Sequence, residues 1–345
     1  MKKKIVPFGC LALIAILTGC GNKNENIDSG MQCIKELNYQ GALEYFDTAE
    51  QSSENVRLIE RGRGIAYMGL TDYEQAADCF RASLKESDGV VEAIDFDLNY
   101  YLAAAYMKSG QYQQAKEVYD AVLALRSGEE DAYFLRGTAL LGLAEFDSAK
   151  EDFDKVIEMS PKNYDRLIEI YQALEHYGYA EAGQTYLQTA LDSGDSQMNA
   201  YDKGRIYYYL GQYQQAYLEL ENAREKGGAE SYLYLGKAYE ATGDYNYAAS
   251  VYNSYLSKFG DAAEVYNQLG LCEMAKKDYR SALTSFQTGK QLEDGSMQQT
   301  LSFNEIVAYE YLGEYKKAAV LLDSYLQAYP DDETAKREKQ FLQTR

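Results

Sequence analysis

The sequence predicts an all-α fold, a right-handed superhelical solenoid of about nine helix-turn-helix repeats finished by a C-terminal capping helix. Three observations predict it. First, an alanine recurs at Ala42, Ala76, Ala115, Ala149, Ala182, Ala216, Ala248, Ala282 and Ala318, at spacings of 32 to 39 residues. Second, an aromatic stands three residues before each of these alanines and a large apolar residue four after, which is the spacing of one helix face. Third, the 345 residues contain only three prolines, which leaves room for nearly unbroken helix.

From the N-terminus, Lys2, Lys3 and Lys4 precede a short apolar run from Ile5 to Leu17, the layout of a secretory signal over residues 1–19. The run falls short of the ~20 apolar residues a permanent span needs. Leu17-Thr18-Gly19-Cys20 resembles the bacterial lipobox. That resemblance implies a diacylglyceryl group on Cys20, and two acyl chains suffice for stable anchoring. Residues 20–28 then read as a lipidated cysteine and polar tether. The expected location is the extracytoplasmic face of the cell membrane, facing the periplasm if the host has an outer membrane.

The repeats follow over residues 29–332. The aromatics before the anchor alanines are Tyr39, Tyr73, Tyr112, Phe146, Tyr179, Tyr213, Tyr245, Tyr279 and Tyr315. Four residues after the anchors come Phe46, Phe80, Tyr119, Phe153, Tyr186, Leu220, Tyr252, Phe286 and Leu322. Twelve before them stand Gly30, Gly64, Ala103, Gly137, Gly204, Gly236 and Gly270, with Ile170 and Ile306 departing. Gly110, Gly211, Gly243 and Gly313 precede their aromatic by two, where a sharp turn must end one helix and start the next. Pro161 and Pro330 lie twelve beyond their anchors. This series resembles the tetratricopeptide repeat family over roughly residues 27 to 332. The copy at Ala182 is the weakest, because Gly178 and Gly183 blur its register by one residue. Five extra residues fall near Gly89 to Asp95, and residues 333–345 read as a polar capping helix that covers the last apolar face.

Charge and chemistry narrow the function. Acidic side chains outnumber basic ones 54 to 34, and loss of three N-terminal lysines makes the mature chain more negative still. Such a surface repels nucleic acid and anionic lipid and favours cationic partners. Cys33, Cys79 and Cys272 are an odd set without close spacing, so they read as small buried apolar residues on helices. His176 is the only histidine, which denies the chain the usual nucleophile–base pairs and zinc sets, and it reads as a surface or turn residue. Neither catalysis, a metal nor a cofactor is expected.

The family resemblance implies an inner wall built from positions fifteen, eleven and eight before each anchor. Those positions hold Met68, Tyr100, Met107, Phe134, Tyr171, Tyr201, Arg205, Tyr208, Lys237 and Phe303, an aromatic and Met-rich groove with Arg205 and Lys237 as a basic spot. Tyr and Met supply large, adaptable contact area. The expected function is a membrane-anchored scaffold for protein or peptide partners in the cell envelope, with capture of a small ligand or wall glycan as the alternative. The Lys/Asn/Arg clamp that some family members use on a C-terminal carboxylate is not reproduced, since Ile65 follows Arg61 and Leu271 follows Asn267.

Overall fold

A computed structural model describes residues 24–193, 198–292, 295 and 297–344. The signal segment and Cys20 lie outside the described residues. The chain divides into two compact units, residues 1–161 and 162–345.

The first unit stacks four helical hairpins. They are α1 (Glu25–Lys35) with α2 (Tyr39–Gln51), α3 (Val56–Gly69) with α4 (Tyr73–Lys85), α5 (Ala93–Lys108) with α6 (Tyr112–Leu125), and α7 (Glu130–Gly142) with α8 (Phe146–Met159). The second stacks five: α9 (Tyr164–His176) with α10 (Ala180–Asp192), α11 (Ala200–Tyr209) with α12 (Tyr213–Ala223), and α13 (Gly228–Ala241) with α14 (Tyr245–Phe259). Then come α15 (Ala263–Ala275) with α16 (Tyr279–Lys290), α17 (Gln298–Tyr311) with α18 (Tyr315–Ala328), and the single helix α19 (Glu333–Leu342). Every regular element among the described residues is helical, and none is long and apolar enough to cross a membrane.

The hairpin turn has one geometry nine times over. The residue two before the start of each even-numbered helix up to α18 takes a left-handed backbone: Leu37, Thr71, Gly110, Ala144, Gly178, Gly211, Gly243, Lys277 and Gly313, with φ from 59° to 87°. The next amide then donates back to a carbonyl five residues earlier, as Asp72 does to Tyr67 at 3.0 Å and Gln111 to Tyr106 at 2.8 Å. This closes the helix end that the missing next turn leaves open. Several of the same residues also cap the second helix, where the Asn38, Asp72, Asp244 and Asp278 side chains accept from the third amide on.

The anchor alanines are fully buried except Ala182, and the +4 rings of Phe46, Phe80, Phe153 and Phe286 are buried with them. The upstream glycines make room for those rings. A Cβ on Gly64 would sit 2.4 Å from the Phe80 ring, one on Gly236 2.3 Å from Tyr252, and one on Gly270 2.3 Å from Phe286. In the weak copy the register slips by one residue. Tyr179 is the N-cap, and buried Gly183 and Leu187 take the anchor and +4 places. Tyr171 then stands twelve before the anchor, where most other copies carry glycine, and its ring lies 3.0 Å from where a Gly183 Cβ would be.

Three local readings need correction. The helical stack begins at Glu25, inside the stretch read as tether, because Ile27 is buried and the Glu54 carboxylate accepts from the Asn26 and Ile27 amides at 3.1 and 3.0 Å. Cys33 is only half-buried. Cys272 is buried, though not in a purely apolar setting, since its Sγ donates to the Glu240 carboxylate at 3.3 Å.

Helix α19 covers the end of the stack, with Ala335 and Leu342 packed in one cluster with Ile306, Ala318 and Leu322. Glu310 on α17 is caught beneath it. Its Oε1 is buried without a hydrogen-bond donor, and burial, followed by Glu338 of α19, pushes the carboxyl up to about 7. Between about 4.5 and 7 the folded chain therefore holds a proton that the unfolded chain releases. Stability is full below that window and falls as pH rises through it. With partial solvent screening the expected loss is about 1–2 kcal/mol. Urea unfolding at pH 5 and pH 8 checks this, and Glu310→Gln is expected to shrink the difference, to which Glu240 and Glu273, also raised by burial, contribute.

Candidate protein-binding wall

Within each unit, odd-numbered helices pack on the next odd-numbered helix, as in α1–α3, α3–α5, α9–α11, α11–α13, α13–α15 and α15–α17. The odd helices therefore line the inner side of each stack. In the second unit this side carries a connected tract of tyrosines. Tyr209 sits at its centre, with ring centroids 5.5 Å from Tyr171, 5.5 Å from Tyr208 and 6.1 Å from Tyr234. Its hydroxyl is 3.0 Å from that of Tyr234 and accepts from Gln172 Nε2 at 2.9 Å. Tyr208 reaches Tyr234 at 5.7 Å, and Tyr201 meets Tyr234 edge-on at 6.3 Å. One aromatic surface thus joins α9, α11 and α13.

The two cations placed here by sequence are not free. Arg205 is buried, donates to Asp165 and, at 2.7 Å, to Asp202, and lies 4.4 Å from the Tyr201 ring centre. Lys237 donates to Glu264 at 2.9 Å and lies 5.7 Å from the Tyr234 ring centre. The Tyr201 hydroxyl donates to Glu230. These polar contacts tie each odd helix to its neighbour and leave carboxylates on the solvent side, with the Asp165 side chain 75% exposed and Glu264 48%. The expected basic spot is an acid-bordered aromatic surface.

A second feature lies further along the wall. An open hollow of about 420 Å³ is lined by Leu271, Met274 and Ala275 of α15, by Tyr279 and Phe286 of α16, and by Asn304, Val307 and Tyr311 of α17. Ala275 lies seven before its anchor and Asn304 fourteen before the next. At the matching positions two hairpins earlier stand Tyr209 and Tyr234. The hollow is therefore the place the tyrosine tract fills, left open by two smaller side chains.

A family model described as tetratricopeptide repeat matches residues 61–130, 100–164, 201–263 and 235–296, more than half of the chain, and a second of the same description matches 303–332. The chain belongs to the tetratricopeptide repeat family. A TPR repeat-containing protein of Methanocaldococcus jannaschii is 26% identical over 213 residues, covering 59% of this chain and 36% of that protein. The peptidyl-prolyl cis-trans isomerase FKBP4 of Mus musculus is 29% identical over 145 residues, covering 37% of this chain and 32% of that one. The chain spans about a third of the length of these relatives. The yeast Tom70 crystal structure matches with a TM-score of 0.50 at 15% identity, covering 93% of this chain and 88% of that one, which shows the fold. The chain thus has the scaffold of stacked helical hairpins that defines tetratricopeptide repeats.

Not every wall residue expected of a tetratricopeptide repeat is on the wall. Tyr171 is buried because the register slip turns it onto Gly183, and Arg205 because its partners hold it down. In the first unit, Met68, Tyr100 and Met107 lean on the core cluster, and Phe134 packs on Phe153 at 6.1 Å. The Tyr100 ring lies 6.1 Å from Tyr119, its hydroxyl is buried without a partner, and burial pushes it up to about 12. Phe303 packs on Tyr325 at 5.6 Å, away from the tract. Tyr201, Tyr208 and Lys237 are brought together. Tyr209 and Tyr234 were missed, although the run Tyr207-Tyr208-Tyr209 was a visible signal. His176 is exposed at the end of α9, and among the described residues no group of His, Cys, Asp or Glu is placed to hold a metal.

Proposed function

We propose that this protein is a membrane-tethered scaffold of the bacterial cell envelope that gathers protein or peptide partners on the inner wall of its second unit. The tyrosine tract centred on Tyr209 carries the reading. It offers broad aromatic contact with hydroxyls at its edge, and such residues lose little entropy on binding. The lipobox-like Leu17-Thr18-Gly19-Cys20 supports the tether. The ring faces on which a sugar would stack are already covered by one another and by Arg205 and Lys237, which favours a peptide over a glycan.

Crosslinking in living cells tests it. A photoreactive residue in place of Tyr234 is expected to trap envelope proteins, and adding Tyr201→Ala and Tyr209→Ala to that variant is expected to lower partner recovery at least tenfold, since aromatic anchors carry much of an interface's energy. Cys20→Ser is expected to release the protein from the membrane fraction. Crosslinks unchanged by the two added substitutions would remove the wall from the account. A Cys20→Ser protein still fractionating with membrane would remove the lipid.

A further inference from the structure

The hollow between α15 and α17 stays open although Tyr279, Phe286 and Tyr311 line its sides, so it can receive a side chain from outside. Leu271 and Tyr311 are exposed there, at 40% and 61%, and Met274 and Val307 form its floor. Asn304 is held across the wall, its Nδ2 donating to Asn267 Oδ1 at 2.7 Å, so it does not swing in to close the space. Exposed apolar surface in a concave place marks a binding position.

Charge decides what kind of chain brings that side chain. Glu230 and Glu264 are exposed near the starts of α13 and α15, where Tyr201 and Lys237 each engage one carboxylate oxygen and the side chains still face solvent, and the protein as a whole carries a formal charge of −20. Lys277 sits on the rim of the hollow itself. A cationic residue is therefore attracted to the carboxylates and repelled from the hollow. Carboxylates and hollow are separated by about 14–20 Å, from ~1.5 Å rise per residue along α15 and ~10 Å between neighbouring helices. An extended chain covers that in about four to six residues at ~3.3 Å each.

We propose that the hollow lined by Leu271, Met274, Ala275 and Val307 is a socket for one apolar side chain of an extended basic peptide, whose cationic residues lie four to six positions away against Glu230 and Glu264. The proposal rests on the scaffold reading and gives that scaffold a partner chemistry. It also gives a use to Ala275 and Asn304, the smaller side chains that stand where Tyr209 and Tyr234 close the wall two hairpins earlier.

Fluorescence anisotropy with the full chain tests it. The probes are fluorescein-labelled Gly/Ser decapeptides carrying a Lys-Arg pair and one Leu at spacings of one to eight, with Glu-Glu counterparts. Basic peptides with Leu four to six positions from the pair are expected to bind best, more weakly as salt rises. Ala275→Tyr is expected to weaken them at least tenfold with an unchanged melting temperature, because Tyr209 already occupies the equivalent place. Glu230→Gln with Glu264→Gln is expected to weaken them about threefold and flatten the salt dependence. Equal binding by Ala275→Tyr, equal binding of the acidic peptides or indifference to spacing would overturn the socket. If crosslinks from position 234 persist in that case, the scaffold reading survives without it; if they are absent too, both fall.

Discussion

Replacing Phe286 by alanine is expected to cost about 3–5 kcal/mol, the range for emptying the site of a fully buried aromatic. Its ring has no solvent exposure and lies against Gly270, where even one added carbon would sit 2.3 Å away. Ring and glycine form one packed pair across the hairpin, so Gly270→Ala is also expected to destabilise, by about 1–3 kcal/mol through overpacking. Combining Gly270→Ala with Phe286→Leu should cost less than the two separate changes summed, because each relieves the other. Urea unfolding followed by circular dichroism gives the energies, and hydrogen exchange should place the loss in α15 to α17. A loss below about 1 kcal/mol for Phe286→Ala would mean that the hairpin is not held by this ring.

Glycine at the four left-handed turn positions that lack it should raise stability. Leu37, Thr71, Ala144 and Lys277 hold φ values of 59° to 62°, a conformation that costs a side chain about 1–2 kcal/mol. Glycine removes that cost and gives back part of it as greater freedom in the unfolded chain. A net gain of about 0.5–1 kcal/mol per site follows, and the four sites lie in different hairpins, so about 2–4 kcal/mol is expected for the quadruple variant. Thermal and urea unfolding of that variant check it. The reverse change, Gly110→Ala, should destabilise by a similar single-site amount. No gain in the quadruple variant would show that the turns are held by something other than backbone geometry.

The backbone plan was legible because one physical pattern repeats. An alanine that must be small, an aromatic that fills the gap and a glycine that lets the aromatic in are each local in sequence and recur in register. Even the blurred copy kept the rule with its terms exchanged, since Tyr171, Gly183 and Leu187 put the bulk on the first helix and the small residue on the second. Ile306 opposite Leu322 is a milder version. The wall was less legible. Which tyrosines face the inner side depends on the rotation of one hairpin against the next, which no single repeat encodes, so Tyr209 and Tyr234 escaped a reading based on fixed offsets. The pairing of Arg205 and Lys237 escaped for the same reason, as Asp165 and Glu264 belong to neighbouring hairpins.

The Cys272 contact has a chemical consequence. Its thiol hydrogen serves the half-buried Glu240 carboxylate, and burial with that carboxylate nearby holds the sulfur protonated far above neutral pH; burial beside Glu60 likewise holds Cys79 up to about 12. Thiolate is the species that attacks peroxides and foreign disulfides, so both sulfurs are slow to oxidise or to become cross-linked to another molecule. An oxidant reaching the interior would therefore meet two unpaired sulfurs in their protonated, less reactive form.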